Sequence, residues 1–373
     1  MRRLTGLLIL LVLWSCKQGP DTSTPPQKDG TASATSKQAK SLILPGEEKH
    51  FKSLRQLTFG GDNAEAYWSF DDKKLVFQAT NPDWNAPCDQ IFVTGVDQTW
   101  AKPKVPPMVS TGKGRTTCSY FLPGDTTILY ASTHLGADTC PPVPARRTDG
   151  KYVWPIYASY DIFVADLNGH IIKQLTNTPG YDAEATVSPK GDKIVFTSMR
   201  TGDLELFTMD IDGSNVKQIT HELGYDGGAF FSPDGSQIVF RASRPKTPEE
   251  RKEYKELLKQ GLVTPTQMEV FVCNVDGSNM RQVTHLGKAN WAPFFHPSGK
   301  KIIFASNHEY ERGFPFNLYL INVDGTGLEK ITASGMFDAF PVFSNDGKYL
   351  VFSSNRNNGG GHDTNLFIAE WKE

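Results

Sequence analysis

One phrase recurs along this chain and constrains its fold more than anything else in it. A Gln-Leu-Thr-like triplet precedes an apolar strand, a Pro-Asp-Gly-like turn and an Ile-Val-Phe run. It reads Gln174-Leu175-Thr176, Ser188-Pro189-Lys190-Gly191 and Ile194-Val195-Phe196. It returns as Gln218-Ile219-Thr220 with Ser232-Pro233-Asp234-Gly235, and as Gln282-Val283-Thr284 with His296-Pro297-Ser298-Gly299. Lys330-Ile331-Thr332 with Asn345-Asp346-Gly347 is the last copy. Two degenerate copies come earlier, at Gln56-Leu57-Thr58 and Met108-Val109-Ser110. Each copy continues into a third strand and an Asp-Gly turn, as in Leu206-Phe207-Thr208-Met209 before Asp212-Gly213. Asp-Gly between β-branched and aromatic runs marks a hairpin, because Gly tolerates positive φ. Each unit is therefore four strands, A to D. Repeats of about 40–50 residues with four strands build a propeller.

Aligned on the A–B turn, Phe70, Pro123, Pro189, Pro233, Pro297 and Asn345 fall in one column, which predicts an all-β, six-bladed β-propeller. The last copy ends after strand C, and the first triplet has no blade before it. Residues near 51–58 are therefore expected to complete the last blade as its strand D, joining the ends of the ring and hiding both edges.

These repeats resemble the TolB-like, WD-type repeat of bacterial envelope propellers over about residues 50–371. The resemblance implies the fold and speaks weakly to function, because such propellers host many jobs. TolB carries an extra domain before its propeller, whereas here a tether holds that place.

Ahead of the repeats, Arg2 and Arg3 precede an apolar run, Leu7 to Trp14, too short to span a bilayer. Leu13-Trp14-Ser15-Cys16 resembles a bacterial lipobox. That resemblance implies a signal peptide at 1–15 and lipidation of Cys16. Residues 16–45 are rich in Ser, Thr, Pro, Gln and Lys and read as a flexible tether. The propeller is placed at 46–373. The implied address is the periplasmic side of the outer membrane, held there through the lipid alone. With Lys+Arg 39 against Asp+Glu 41, the charge balance argues against a nucleic-acid binder. Outside the cytoplasm a disulfide is permitted. Cys88, Cys118 and Cys140 lie in one stretch, and their three pairings stay open.

Strands A and C run the same way, so D–A and B–C loops share one face. Both large insertions, His134–Ser159 and Pro245–Gln267, are B–C loops and belong there. The second carries a helix near 247–260: Thr247 as N-cap, Pro248 at N1, Glu250 at N3 and Gly261 beyond its end. Tyr254, Leu257 and Leu258 form its buried stripe.

Three columns on that face are candidate site positions. Just before strand A stand Asn63, Thr116, Asp182, Asp226, Asn290 and Asp338, read as oxygen donors at the channel mouth. Two positions on stand Glu65, Cys118, Glu184, Gly228, Ala292 and Phe340. After strand B come Asn81, His134, Arg200, Arg244, His308 and Arg356. Ser-x-Arg in TolB-like repeats implies pairing with neighbouring carboxylates, which singles out His134 and His308. The candidate ligand-binding set is therefore Glu65, Arg115, His134, Asp182, Glu184, Asp226, Asn290, His308 and Asp338. Aromatics near the same face (Trp84, Trp154, Trp291, Tyr181, Tyr225) suit stacking on sugars or clamping a peptide.

No nucleophile elbow, zinc-protease motif or phosphate loop occurs, so no catalytic residue and no resident cofactor are assigned. The expected function is a lipid-anchored, monomeric binding propeller recognising an envelope protein or polymer. The alternative is an enzyme of polysaccharide lyase or hydrolase type using a divalent cation at the channel mouth.

Overall fold

The structure, a computed structural model, describes residues 41–311 and 313–372. The signal peptide, Cys16 and the tether as far as residue 40 lie outside the described residues. Among the described residues no helix is long and apolar enough to cross a membrane.

Six antiparallel sheets follow one another along the chain. Blade 1 is built from Asp62–Trp68, Lys74–Asn81 and Ala86–Gly95, with a bridge from Phe92 to Met108 in place of a full fourth strand. Blade 2 runs Thr116–Phe121, Thr127–Ser132, Asp161–Asp166, Ile171–Gln174. Blade 3 runs Asp182–Val187, Lys193–Ser198, Glu205–Asp210, Lys217–Gln218. Blade 4 runs Asp226–Phe231, Gln237–Ala242, Glu269–Asn274, Arg281–Gln282. Blade 5 runs Asn290–Phe295, Lys301–Ser306, Asn317–Asn322, Glu329–Lys330.

Blade 6 combines Asp338–Phe343, Tyr349–Ser354 and Asn365–Trp371 with Phe51–Gln56, which pairs antiparallel with Asn365–Trp371. The first strand of the propeller thus closes its last blade, as the repeat register requires.

The recurring phrase has a physical cause at each letter. The Thr hydroxyl accepts an N–H from strand C and donates to the side chain that opens that strand. Leu206 N–H reaches Thr220 Oγ1 at 2.8 Å, and Thr220 donates to Glu205 at 2.5 Å. Thr284 does the same with Val270 and Glu269, and Thr58 with Leu366 and Asn365 across the clasp. The Gln side chain folds onto the Thr carbonyl, as Gln218 does at 2.7 Å. The apolar middle residue is buried (Leu57, Ile219, Val283, Ile331). Val195, Phe196, Val239, Phe240, Ile303 and Phe304 of the B strands are fully buried, each burial contributing about 1.5–3 kcal/mol.

At the A–B turns, the position held by Gly191, Gly235, Gly299 and Gly347 is Asp72 in blade 1 and Asp125 in blade 2, all at positive φ. There the carboxylate grips the preceding blade. Asp125 accepts from Phe70 and Asp71 N–H (2.8 and 3.0 Å), and Asp72 accepts from Asn345 and Asp346 N–H (2.8 and 3.0 Å).

Ordered packing begins earlier than the boundary expected at residue 46. Leu42 and Ile43 pack against the core, and buried Glu47 receives both Nη groups of Arg356 at 2.9 Å.

Both insertions rise from the predicted face and join each other. Trp154–Pro155 of the first pairs antiparallel with Leu262–Val263 of the second. The helix spans Pro248–Lys259 with a complete Thr247/Glu250 capping box, and Tyr254, Leu257 and Leu258 are buried. Tyr254 OH donates to Asp203 of blade 3 at 2.5 Å. The open cysteine question resolves as Cys88–Cys140, which ties the first insertion to blade 1, while Cys118 and Cys273 are free and buried.

Candidate functional site

Every strand A carries a register shift at the same place. The bulged residue is in the left-handed region in all six blades: Glu65 (53°), Cys118 (45°), Glu184 (57°), Gly228 (58°), Ala292 (48°) and Phe340 (55°). A left-handed non-glycine residue costs roughly 1–2 kcal/mol, and bulges re-aim side chains. All six line a cavity of about 1750 Å³ on the loop face. Two residues further down each strand stand Tyr67, Tyr120, Thr186, Phe230, Phe294 and Val342. Tyr67 lies 5.6 Å from Tyr120 and 5.7 Å from Phe230, and Phe230 lies 5.1 Å from Phe294. Of this layer, Tyr67, Thr186 and Phe230 reach the cavity, beneath its polar groups.

Just above the floor, Glu184 is saturated. Its Oε1 accepts from Tyr181 OH (3.2 Å), Tyr225 OH and Arg241 Nη2 (3.1 Å), and its Oε2 from Gly228 N–H (2.5 Å) and Thr197 (3.3 Å). Arg241 Nη2 also donates to Tyr225 OH at 2.8 Å. The guanidinium packs against the Trp154 ring (5.4 Å) and the Tyr225 ring (5.1 Å). Gly227 and Gly228 make room, since a Cβ at either would collide with Glu184 or Arg241. Burial and the Glu184 charge push the Tyr225 phenol well above its usual range.

Glu65 is differently placed. Its Oε2 accepts from Cys118 Sγ–H (2.8 Å) and Tyr67 OH (3.4 Å), and Oε1 accepts from none of the described residues. Desolvation, reinforced by Glu184, raises its carboxyl to about 7 against the pull of Cys118 and Arg241. Gln78 uses Oε1 for Cys118 N–H (3.0 Å) and Thr117 Oγ–H (3.1 Å), and its amide N–H groups donate to none of the described residues.

The upper wall is aromatic. Trp154 lies 5.0 Å from Trp291, and Tyr152 of the first insertion meets Phe314 of blade 5 edge-on at 5.2 Å. Phe337 lies 6.1 Å from Phe314 and 6.2 Å from Phe340. The first insertion therefore reaches across the mouth as a strap, pinned by the disulfide at one end.

Of the expected site residues, Glu65, Arg115 and Glu184 line the cavity, Arg115 held by Asp89 at 2.5 Å. The rest do not line it, and the expectation of an open ring of oxygen donors is corrected. Asp182 is bonded by Arg200 (3.1 Å), Asp226 by Arg244, and Asp338 by Arg356 (3.1 Å) and Ser354 (2.6 Å), all three carboxylates fully or almost fully buried. Asn290 takes Ser306 Oγ–H at 2.7 Å. His134 and His308 occupy the arginine position of the same brace. Each has Nδ1 at its own Ser (Ser132 at 2.9 Å, Ser306 at 3.0 Å) and lies against a strand C ring, Phe163 or Tyr319. Burial lowers both imidazoles.

Where strand A opens with Asp, the B–C loop carries Arg. Where it opens with Thr116 or Asn290, the loop carries an imidazole, so charge is matched within blades 2 to 6, while blade 1 places Asn63 and Asn81 at these two positions. Of the aromatics expected at the mouth, Tyr181, Tyr225, Trp154 and Trp291 line the cavity, while Trp84 is buried in the core of blade 1.

Arg241 and Gln78 went unread in the sequence. They share a further column, the residue after the aromatic of Ile-Val-Phe: Gln78, Ala131, Thr197, Arg241, Ala305, Ser353. A long polar side chain in an otherwise small-residue column was the available signal. Among the described residues, no three His, Cys, Asp or Glu side chains stand together as a metal-binding group.

Ring, clasp and cavity define a closed six-bladed propeller with a roofed pocket on its loop face. The TolB beta propeller domain family matches residues 156–252. Among solved structures the chain is similar to a TolB-type protein from Agrobacterium tumefaciens, with 20% identity and a TM-score of 0.52, covering 84% of this chain and 91% of that one. It is also similar to TolB from Acinetobacter baumannii, with 16% identity and a TM-score of 0.51, covering 84% of this chain and 64% of that one. No curated protein matches the sequence. The fold is that of a TolB-like six-bladed propeller.

Proposed function

We propose that this protein is an exported, lipid-anchored, monomeric propeller of the bacterial envelope that binds a segment of another protein, or of an envelope polymer, in its roofed cavity. The cavity carries this reading: it joins an aromatic wall, which supplies contact area, to a polar floor, which supplies selectivity. The lipobox-like Leu13-Trp14-Ser15-Cys16 supports the anchor, and the TolB-like fold fits a periplasmic address at the outer membrane.

The test is a photo-crosslinking residue placed in the anchored protein in cells, at Tyr152 or Phe314 on the mouth and at Tyr349 on the opposite face. A partner captured from both mouth positions and not from Tyr349 is the expected result. Equal capture from all three positions, or from none, overturns the reading.

The enzyme alternative draws on Glu65, a carboxyl held near neutrality and so suited to proton transfer. Turnover of an acidic polysaccharide that disappears in Glu65→Gln is its test. Added divalent ions that raise neither turnover nor melting temperature would remove the metal from it.

A further inference from the structure

The polar groups of the cavity floor are satisfied unevenly. Glu184 and Tyr225 have every strong partner they can use, yet Arg241, 8% exposed, bonds only through Nη2. Its Nε is buried without a partner, and Nη1 donates to no side chain or carbonyl among the described residues. Among the described residues, Gln78 donates nothing from its amide, and Glu65 Oε1 accepts nothing. All three line the cavity. Arg241 Nε is a buried donor left unmade, at a cost of about 1–3 kcal/mol, while the Gln78 amide and Glu65 Oε1 stand open to the cavity, where a guest can complete them.

The missing chemistry follows from what is open. Arg241 and Gln78 require an acceptor and Glu65 requires a donor. Arg241 is already neutralised by Glu184, so an incoming carboxylate meets two acids and one compensated cation. An incoming ammonium gives up several kcal/mol of hydration and meets Arg241 beside a carboxyl that is half protonated near pH 7. Trp154 and Tyr225, whose ring centroids are 6.4 Å apart, flank the guanidinium from one side and narrow the approach to it, which suits a slender group.

We infer that the floor formed by Glu65, Gln78 and Arg241 seats a primary carboxamide of the ligand, the side chain of a Gln or Asn in a bound peptide. Its C=O accepts from Arg241 or Gln78, and its NH2 donates to Glu65. This rests on the binding reading above and names the group the cavity selects.

The experiment uses the full-length protein and four capped peptides, acetyl-Ala-X-Ala-N-methylamide with X = Gln, Lys, Glu or Leu, with affinities read by ligand-observed NMR at pH 7. The Gln peptide is expected to bind about tenfold tighter than the Leu peptide, as one added hydrogen-bonded group implies. Gln78→Ala, which melts near the parent temperature, and Glu65→Ala each bring it down to the Leu level. A Lys or Glu peptide tighter than Gln, or a Gln preference that survives Gln78→Ala, overturns the carboxamide seat. All four peptides binding alike sinks the seat and leaves the binding function standing. No peptide binding at all, with or without binding of N-acetylglucosamine oligomers, sinks the seat as well. Oligomers bound alone then leave a polymer-binding cavity, and nothing bound removes the binding function too.

Discussion

Two rings of residues lie only two positions apart in every strand A, and they have opposite fates. The first, Asn63 to Asp338, turns into its own blade. The second, Glu65 to Phe340, is thrown into the cavity by the bulge. Both contain carboxylates, so acidity alone does not separate them. What separates them is the partner inside the repeat. Asp182, Asp226 and Asp338 each have an arginine supplied by the same blade, whereas Glu65 has none and Glu184 borrows Arg241 from the next blade. A carboxylate answered within its own repeat braces the blade. One answered from another repeat, or not at all, faces the cavity.

The harshest way to break this contrast is Arg356→Met. It strands Glu47 and Asp338 in a fully buried site, and loss of one partner of a buried ion pair costs about 3–5 kcal/mol. Denaturant unfolding should show that loss, together with release of the segment from Ser41 in proteolysis. A change within about 1 kcal/mol would mean that the brace is ornamental.

Removing the strap's pin, Cys88→Ser with Cys140→Ser, is next, at about 2–4 kcal/mol. Limited proteolysis should then cut first within residues 141–153, with the ring intact. Cleavage beginning in the blades would refute the strap.

In the second ring, Glu65→Gln should reverse the usual sign. The folded carboxyl titrates at about 7, above its ordinary 4.5, so its ionised form opposes folding. Stability is complete below pH 4.5 and is lost as pH rises through 7. The variant should therefore match the parent at pH 4 and exceed it by about 3 kcal/mol at pH 8. A variant less stable than the parent at pH 8 would contradict the assignment.

The finest test rewrites one brace as another. Asp182→Thr with Arg200→His gives blade 3 the pair of blade 2. The double variant should lose less than Arg200→His alone, by about 1 kcal/mol of coupling.

The ring, its clasp and the helix were legible because they follow from period and from local rules. The triplet reports a hydrogen-bond pattern repeated in blade after blade, and Thr247, Pro248 and Glu250 report a cap within one turn. The cavity floor was not legible in the same way. Arg241 reaches Glu184 from the adjacent blade, and room for that contact comes from Gly227 and Gly228, whose meaning appears only when the neighbouring blade is in place. The Cys88–Cys140 bond and the Trp154–Leu262 strap pairing are also contacts between distant segments that no repeat register dictates. The columns of the repeat mark both rings. They give both the same weight, because side-chain direction at a bulge is not visible in a list of residues.

The clasp has a consequence for how the molecule comes into being. Phe51–Gln56 is among the earliest parts of the propeller to be synthesised, and Asn365–Trp371, which it must meet, is the last. Five blades can assemble from near neighbours, each on the one before. The sixth must wait for the whole chain, and the entropy of bringing distant ends together is met only then. Until that moment the early strand and the unfinished blade both present open backbone edges. Asp72, reaching from blade 1 to the turn of blade 6, can form its two bonds only in the same final step. The ring therefore has a natural last event, and a chain stopped a few residues short of Trp371 would leave it open.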